Sequence, residues 1–383
     1  MGEQAMDGRM GFVSDHMPIL RAIARRFSEE RPFEGLTIAV RIHVEPKTGV
    51  LIRALVGGGA RVVAMGNKGT TDDLLAGYLR NLGIEVFGSR ADDDVTIASN
   101  LHRLVAERPD LALDNGAEMI ELLVEDNQSP LGATEETTSG AITLRGSLRG
   151  RVPFPVLVIN DSPLKAIVEN KHGVGQSVVE SIRSATNLLL HRRRLVVLGY
   201  GWCGRGIAQY GRAAGADIVV IEPDSIKALE AAIDGYAVST MEEEASLGDL
   251  FVSATGHAHV ISVEDMERMK PNAVLANAGH FDNEIDVEGL RKVAVPSDRG
   301  ADITRYRFAS GGSIDVVAQG RMVNLAVTGS RGNSIEIMDL GFSLQALCLE
   351  RLAIDPASCS VGDQPVPADI DDWVARAMVA ELR

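Results

Sequence analysis

Leu195-Val-Val-Leu-Gly199-Tyr-Gly201-Trp202-Cys203-Gly204-Arg-Gly206 is the stretch that decides how this chain reads. An apolar run turns on glycines and enters a helix-like segment, Ile207 to Ala214. A second apolar run, Ala216 to Ile221, ends in an acid, Glu222, ~20 residues after the turn. Strand, glycine turn, helix, strand and acid in that order make a dinucleotide-binding unit. The glycines let the backbone approach a pyrophosphate, and the helix start offers it unpaired N–H groups. Glu222 can accept from both ribose hydroxyls and would repel a 2′-phosphate. The expected cofactor is therefore NAD.

The rest of the chain alternates in the same way. A helix is expected over Met17 to Glu29, then the strand Leu36–His43 and a helix near Gly49 to Val56. The strands Arg61–Met65, Ile84–Phe87 and Leu111–Asp114 follow, separated by helices near Asp73 to Leu82 and Val95 to Glu107. Another strand covers Val156 to Ile159, and the stretch Gly175 to Leu190 is helical in pattern. After the dinucleotide unit, Ser334 to Leu352 reads as an apolar helix, and the tail beyond Asp355 is Pro-rich and then weakly helical. Repeated strand–helix order predicts parallel sheets covered on both faces. The fold class is α/β, with two doubly wound parallel-sheet domains, the second a Rossmann NAD-binding domain. The expected division is 1–170 with 334–383 as a substrate-binding domain, and 171–333 as the NAD domain. A cleft between domains is the default place for the substrate. His43, Asp114 and Asn115 stand at carboxyl ends of strands, where open α/β sheets place ligands.

Composition narrows the classes further. The net charge of −15 argues against a partner held by its phosphate backbone. Aromatic residues make up only 4%, too few for base-stacking platforms. His191-Arg-Arg-Arg194 is the one compact basic run, best read as a solvated connector. Cys203, Cys348 and Cys359 lack metal-ligand spacing and leave at least one thiol unpaired, which suits a reducing, cytoplasmic setting. Met1 to Asp15 is polar and Gly-rich, unlike a leader, and no apolar run is long enough to span a bilayer. No metal, nucleic acid or membrane is expected as a partner.

Several motifs together resemble the S-adenosylhomocysteine hydrolase family over nearly the whole chain. They are His43-Val-Glu45-Pro-Lys47-Thr48, Glu135-Glu136-Thr137-Thr138-Ser139-Gly140, Asn160-Asp161-Ser162, Asn170-Lys-His-Gly173, the glycine turn itself, Asn277-Ala-Gly-His280 and Gly320-Arg-Met-Val-Asn324. The resemblance implies a tightly held NAD that oxidises a nucleoside 3′-hydroxyl, so that the C4′ hydrogen becomes acidic. The 5′ substituent is then eliminated, water adds, and the ketone is reduced. It implies catalytic roles for Lys165, His43 and His280, with Glu169, Asn115 and Asn160 beside them. Glu45, Lys47, Thr48, Glu136 and Asn333 would bind substrate. Thr137, Thr138, Ser139, Asn170, Gly199, Gly201, Trp202, Cys203, Gly204, Glu222, Thr255, Asn277 and Asn324 would contact the cofactor. Hinges are expected near Asn170 and Asn333, and a homodimer or homotetramer through the NAD domain.

The chain departs from the family pattern at four places. Asn115 stands where the family has an acid–base aspartate, and an amide neither takes nor gives a proton at neutral pH. Glu169 replaces an aspartate, and Gly332-Asn333-Ser334 replaces a Gly-His-Pro gate segment. The sequence ends at Arg383 without the family's C-terminal arm. Three of the four changes converge on the sugar and base pocket while the glycine turn is intact. The expectation is a nucleoside dehydratase, as in a hydrolase-like enzyme of nucleoside-antibiotic biosynthesis acting on an adenine nucleoside. Ordinary hydrolysis of S-adenosylhomocysteine or its inosyl form, and a silent NAD-binding regulator, are the competing expectations.

Overall fold

The computed structural model describes residues 3–279, 281–300 and 302–383. The chain divides into two compact units. The first runs to Ala166 and resumes over Ile335–Arg383, and the second is Ile167–Ser334. Strands are numbered along the chain.

The first unit holds β1 (Thr37–Arg41), β2 (Arg61–Met65), β3 (Glu85–Phe87), β4 (Leu111–Asp114), β5 (Gly132–Glu135) and β6 (Pro155–Val158). The second holds β7 (Arg194–Leu198), β8 (Asp217–Ile221), β9 (Ala237–Val238), β10 (Leu250–Ser253), β11 (Ala273–Asn277), β12 (Ala294–Asp298), β13 (Ile303–Phe308) and β14 (Ser313–Val317). The chain then returns to the first unit with β15 (Gly362–Pro365).

The first sheet is parallel throughout, in the order β15-β6-β5-β4-β1-β2-β3. From β1 the chain builds outward through β2 and β3, then crosses back to place β4 on the other side of β1. That reversal opens a crevice at the carboxyl ends of β1 and β4, the position where doubly wound sheets bind ligands. The central strands β1, β4, β5 and β6 are buried on both faces, as the helix-covered middle of a parallel sheet requires.

The second sheet runs β12-β13-β14-β11-β10-β7-β8-β9; from β14 to β9 it is parallel, as expected of a Rossmann unit, and an antiparallel edge is added to it. β13 pairs antiparallel with both β12 and β14. The links between these strands are too short for a crossover, so the chain must reverse. Gly311, at φ +98°, makes the second of those reversals.

Several elements were not expected from sequence. A helix covers Glu3–Asp15, with Met6, Met10 and Val13 buried at helical spacing despite Gly8 and Gly11. A π-helix runs over Lys165–Gly173, across the division between the units. β5 and β15 complete the first sheet. The helix Ile335–Ile354 is buried almost all round and serves as the central helix of the first unit. On it, Asp339 accepts from the backbone N–H groups of Ile19 and Leu20, at 2.9 and 2.7 Å, capping the helix Pro18–Glu30 from the far end of the sequence. Among the described residues no helix is long and apolar enough to cross a membrane.

Candidate functional site

In the first unit the loops after β1, β2, β4, β5 and β6 bring a cluster of polar side chains together. Lys165, only 4% exposed at the start of the π-helix, places Nζ 3.3 Å from Glu136 Oε1. The other Glu136 oxygen accepts from Asn115 Nδ2 at 2.8 Å. Burial pushes the Glu136 carboxyl upward, but the Lys165 ammonium, the Asn115 amide and His43 outweigh it. Glu136 therefore sits below the ordinary glutamate value and is ionised.

Asn115 is engaged at both ends, because its Oδ1 accepts from Asn67 Nδ2 at 2.8 Å. His43, half-buried just past β1, has Nδ1 2.8 Å from Thr70 Oγ1. Thr48 donates its hydroxyl to the His43 carbonyl at 2.6 Å, holding the loop against the helix Pro46–Gly57. Glu45 caps that helix by accepting from the Lys47 N–H at 3.2 Å, and the buried Lys47 ammonium pairs with it at 3.1 Å. Burial raises the Glu45 carboxyl against the opposing pull of Lys47. Asn160 accepts from the Thr138 hydroxyl at 2.9 Å.

Beneath this cluster two buried carboxyls shape the loops. Asp114 accepts from the N–H groups of Asn115 and Ile120 at 2.8 and 2.9 Å, with Arg41 at 3.4 Å. Glu135 accepts from Gly116, Ala117 and Thr137 N–H and from the Thr137 hydroxyl, at 2.7–2.9 Å. Burial, then the neighbouring Asp114, raises the Glu135 carboxyl. Gly140 is required here, since a Cβ would meet the Glu135 carboxyl carbon at 2.1 Å. Thr137 accepts from Gly140 N–H and so caps the helix Thr138–Arg145, while Ser139 lies 2.9 Å from the Thr137 hydroxyl.

The second unit carries the glycine turn. Gly199 adopts φ +94° and ends β7 in a turn closed to L side chains. A Cβ on Gly204 would lie 1.9 Å from the Gly199 carbonyl oxygen, so this glycine lets the helix Trp202–Ala213 close on the turn. Gly201, the residue before that helix, is different: a Cβ there meets nothing within 4 Å. An open face above a helix N-terminus is what a pyrophosphate needs. Glu222, at the end of β8, accepts from the N–H groups of Tyr200 and Asp224, at 2.7 and 3.0 Å, which aims its carboxylate. Trp202 is 42% exposed beside the turn, with the Arg205 guanidinium over its ring, and Cys203 is half-buried.

Farther along, Asn324 donates to Ser177 Oγ at 3.0 Å, but its Oδ1 is buried with no hydrogen-bond partner. A buried acceptor left open calls for a donor from a ligand. These features fit NAD. Thr255 donates through its N–H and hydroxyl to the buried Glu284, both at 3.0 Å. Asn277 accepts from Ser253 and from Gly279 N–H, and its amide faces the Phe281 and Gly320 carbonyls at 2.7 and 2.9 Å. That side chain is fully engaged by protein, so it shapes the loop and has no amide hydrogen to spare for a cofactor. Asn333 accepts from Ser177 at 3.1 Å and faces the buried Glu169 at 3.5 Å. Asn170 is half-buried on the π-helix. His280 lies outside the described residues.

The expected site residues thus fall into two groups. His43, Glu45, Lys47, Thr48, Asn115, Glu136, Thr137, Thr138, Ser139, Asn160 and Lys165 belong to the first unit. Glu169, Asn170, Asn333 and the residues of the glycine turn and beyond belong to the second. Sequence reading missed Asn67 and Thr70, which touch the expected residues directly. It also missed Glu284, which holds the Thr255 loop.

Two α/β units, one with a nucleotide-binding glycine turn and the other with a lysine–glutamate–histidine cluster at a sheet crevice, define an NAD-dependent enzyme. Residues 4–131 match the S-adenosyl-L-homocysteine hydrolase family, and residues 170–330 match that family's NAD binding domain. The chain is 43% identical to the S-inosyl-L-homocysteine hydrolase of Methanopyrus kandleri, over 97% of this chain and 89% of that protein. It is 39% identical to the adenosylhomocysteinase of Thermococcus kodakarensis, over 100% of this chain and 91% of that one. Against the adenosylhomocysteinase of Pyrococcus abyssi the identity is 40%, covering 98% and 90%. The chain belongs to the S-adenosyl-L-homocysteine hydrolase family and its cofactor is NAD.

Proposed function

We propose that this enzyme dehydrates a purine nucleoside, with adenine as the expected base. A sugar hydroxyl is oxidised, a hydroxide leaves the neighbouring 5′-type carbon, and the ketone is reduced again. When bound, NAD supplies a place for the hydride, which returns to the carbon it came from. The hydroxyl proton passes to Lys165 and returns to the same oxygen. The C4′ proton and the departing hydroxide together make the water that is lost, so the net change is elimination without oxidation.

Glu136, ionised and turned by Asn115, accepts the sugar hydroxyls and aligns them with Lys165. His43 takes the C4′ proton and gives it to the departing oxygen, so the ring ends the elimination as it began. One observation carries the reading: the Asn115 amide is held between Asn67 and Glu136 and has no proton to exchange. Adding water to the unsaturated ketone needs a base at that place, so the ketone is reduced before hydration.

The second reading is hydrolysis of S-adenosyl- or S-inosylhomocysteine, favoured by full-length relatives with those names. Purified enzyme given a hydroxymethyl nucleoside such as psicofuranine should yield a product lighter by one water in mass spectrometry. Rapid thiol release from S-adenosylhomocysteine, with no dehydrated product across a nucleoside panel, would replace the first reading by the second.

A further inference from the structure

We propose that Thr70 is a positioning residue that decides which nitrogen of His43 moves the proton. The Thr70 hydroxyl has one hydrogen, donated to the Asn67 carbonyl at 2.9 Å. Its oxygen lies 2.8 Å from His43 Nδ1 and, with the hydrogen already used, can only accept. Nδ1 therefore carries the hydrogen in the neutral ring. Nε2 is the basic nitrogen, and it hands over the proton when the ring is cationic.

The loop that does this is itself fixed. Asp72, at its end, donates its N–H to the Val44 carbonyl at 2.7 Å and caps the helix Asp73–Asn81 with its carboxylate. Gly66, at its start, packs so closely that a Cβ would meet Thr71 Oγ1 at 2.0 Å. The other end of the relay is Asn67, whose Nδ2 donates to Asn115 Oδ1 and so turns the Asn115 NH2 toward Glu136. A single loop after β2 thus sets the proton on His43 and the amide that, with the Lys165 ammonium, keeps Glu136 ionised. Glu136 also feels the His43 charge, so the two ends of the relay are coupled electrostatically.

The role in turnover rests on the elimination reading above, but the tautomer does not. The NAD-loaded enzyme labelled with 15N-histidine, examined by long-range 1H–15N spectra, should show His43 in the Nδ1–H form. The His43 signal is assigned by its loss in His43→Gln. Thr70→Val should shift His43 toward the Nε2–H form and lower kcat by ~10-fold or more with KM little changed. Thr70→Ser should restore both. Thr70→Ala serves if the valine variant fails to fold, and the wild-type spectrum stands without any variant. A wild-type His43 in the Nε2–H form overturns the proposal, as does a folded Thr70→Val whose tautomer and kcat match wild type. Absence of dehydration with the expected tautomer shift would reject the elimination reading and leave the positioning role standing.

Discussion

Asn115→Asp tests the proposed chemistry most directly. In the wild type an amide NH2 meets Glu136 Oε2 at 2.8 Å. The substitution replaces that donor with an acceptor of nearly the same shape. Two carboxylates at this separation repel by about 6 kcal/mol at an effective dielectric of about 20. The Lys165 ammonium, 3.3 Å from the other oxygen of Glu136, returns about 5 kcal/mol by the same arithmetic, but that attraction already exists in the wild type. The new repulsion far exceeds the ~1.4 kcal/mol that moves a carboxyl by one pKa unit. The pair will therefore hold one proton near neutrality and titrate as a unit. A group that can take and return a proton then stands where water must be activated. Thiol release from S-adenosylhomocysteine should rise by ~10²-fold or more. The yield of dehydrated nucleoside should fall in step, both read by mass spectrometry and a thiol reagent. Bound NAD, measured after denaturation, and the melting curve show whether the variant is intact. An intact variant with an unchanged ratio of dehydrated to hydrated product refutes the reasoning.

Three further outcomes follow from the geometry. Lys165→Met keeps the buried stem but loses the ammonium beside Glu136, so turnover should drop by ~10²–10⁴-fold while NAD remains bound. Gly201→Val meets open space and should fold normally, yet lose most of its NAD as measured by chromatography of the denatured protein, with quenching of Trp202 as a second readout. Gly204→Ala meets a carbonyl oxygen at 1.9 Å and should instead melt at lower temperature, so equal melting points for these two variants would sink the assignment of their roles. Asp339→Ala strands two buried N–H groups and should cost about 2–4 kcal/mol in denaturant unfolding without changing kcat. Burial raises the Asp339 carboxyl to about 6. Its protonated form is thus favoured on folding, and the stability it adds below the ordinary aspartate value is lost as pH rises through about 6, at most about 3 kcal/mol. The variant should lack that downward slope between about pH 4 and 6.

Most strands that carry the site were readable as short apolar runs, such as Leu111–Asp114 with its terminal acid, whereas β5, Gly-Ala-Thr-Glu, has no such run. The glycine turn was readable because glycines at fixed spacing have distinct steric duties, and the structure shows those duties differ at Gly199, Gly201 and Gly204. β13 was not readable, because a meander in an α/β chain has no helix to announce it. β15, Gly-Asp-Gln-Pro, has no strand-like composition and forms only because the edge of β6 offers it a partner. Asn67 and Thr70 lie in a polar loop with no pattern. They become visible only when β2 lies beside β1, and β1 beside β4, which sets the loop between His43 and Asn115. The carboxylate–amide pairing of Glu136 and Asn115 spans neighbouring strands and was hidden for the same reason.

The lysine–glutamate pair bears on how proton removal begins. At 3.3 Å from an ionised Glu136, Lys165 rests as an ammonium, and an ammonium is no base. On the proposed reading the sugar supplies the remedy. Hydroxyls that donate to Glu136 compete with Lys165 for the same oxygens and weaken the attraction that keeps the lysine charged. Substrate binding therefore makes Lys165 a better base at the moment a proton must leave. Asn115 strengthens this coupling, because its amide helps keep Glu136 ionised without adding a second titrating group. An aspartate there would share a proton with Glu136 and blur the link. The amide thus has two effects with one physical origin: it removes the group that would activate water, and it leaves Lys165 under the control of the bound sugar.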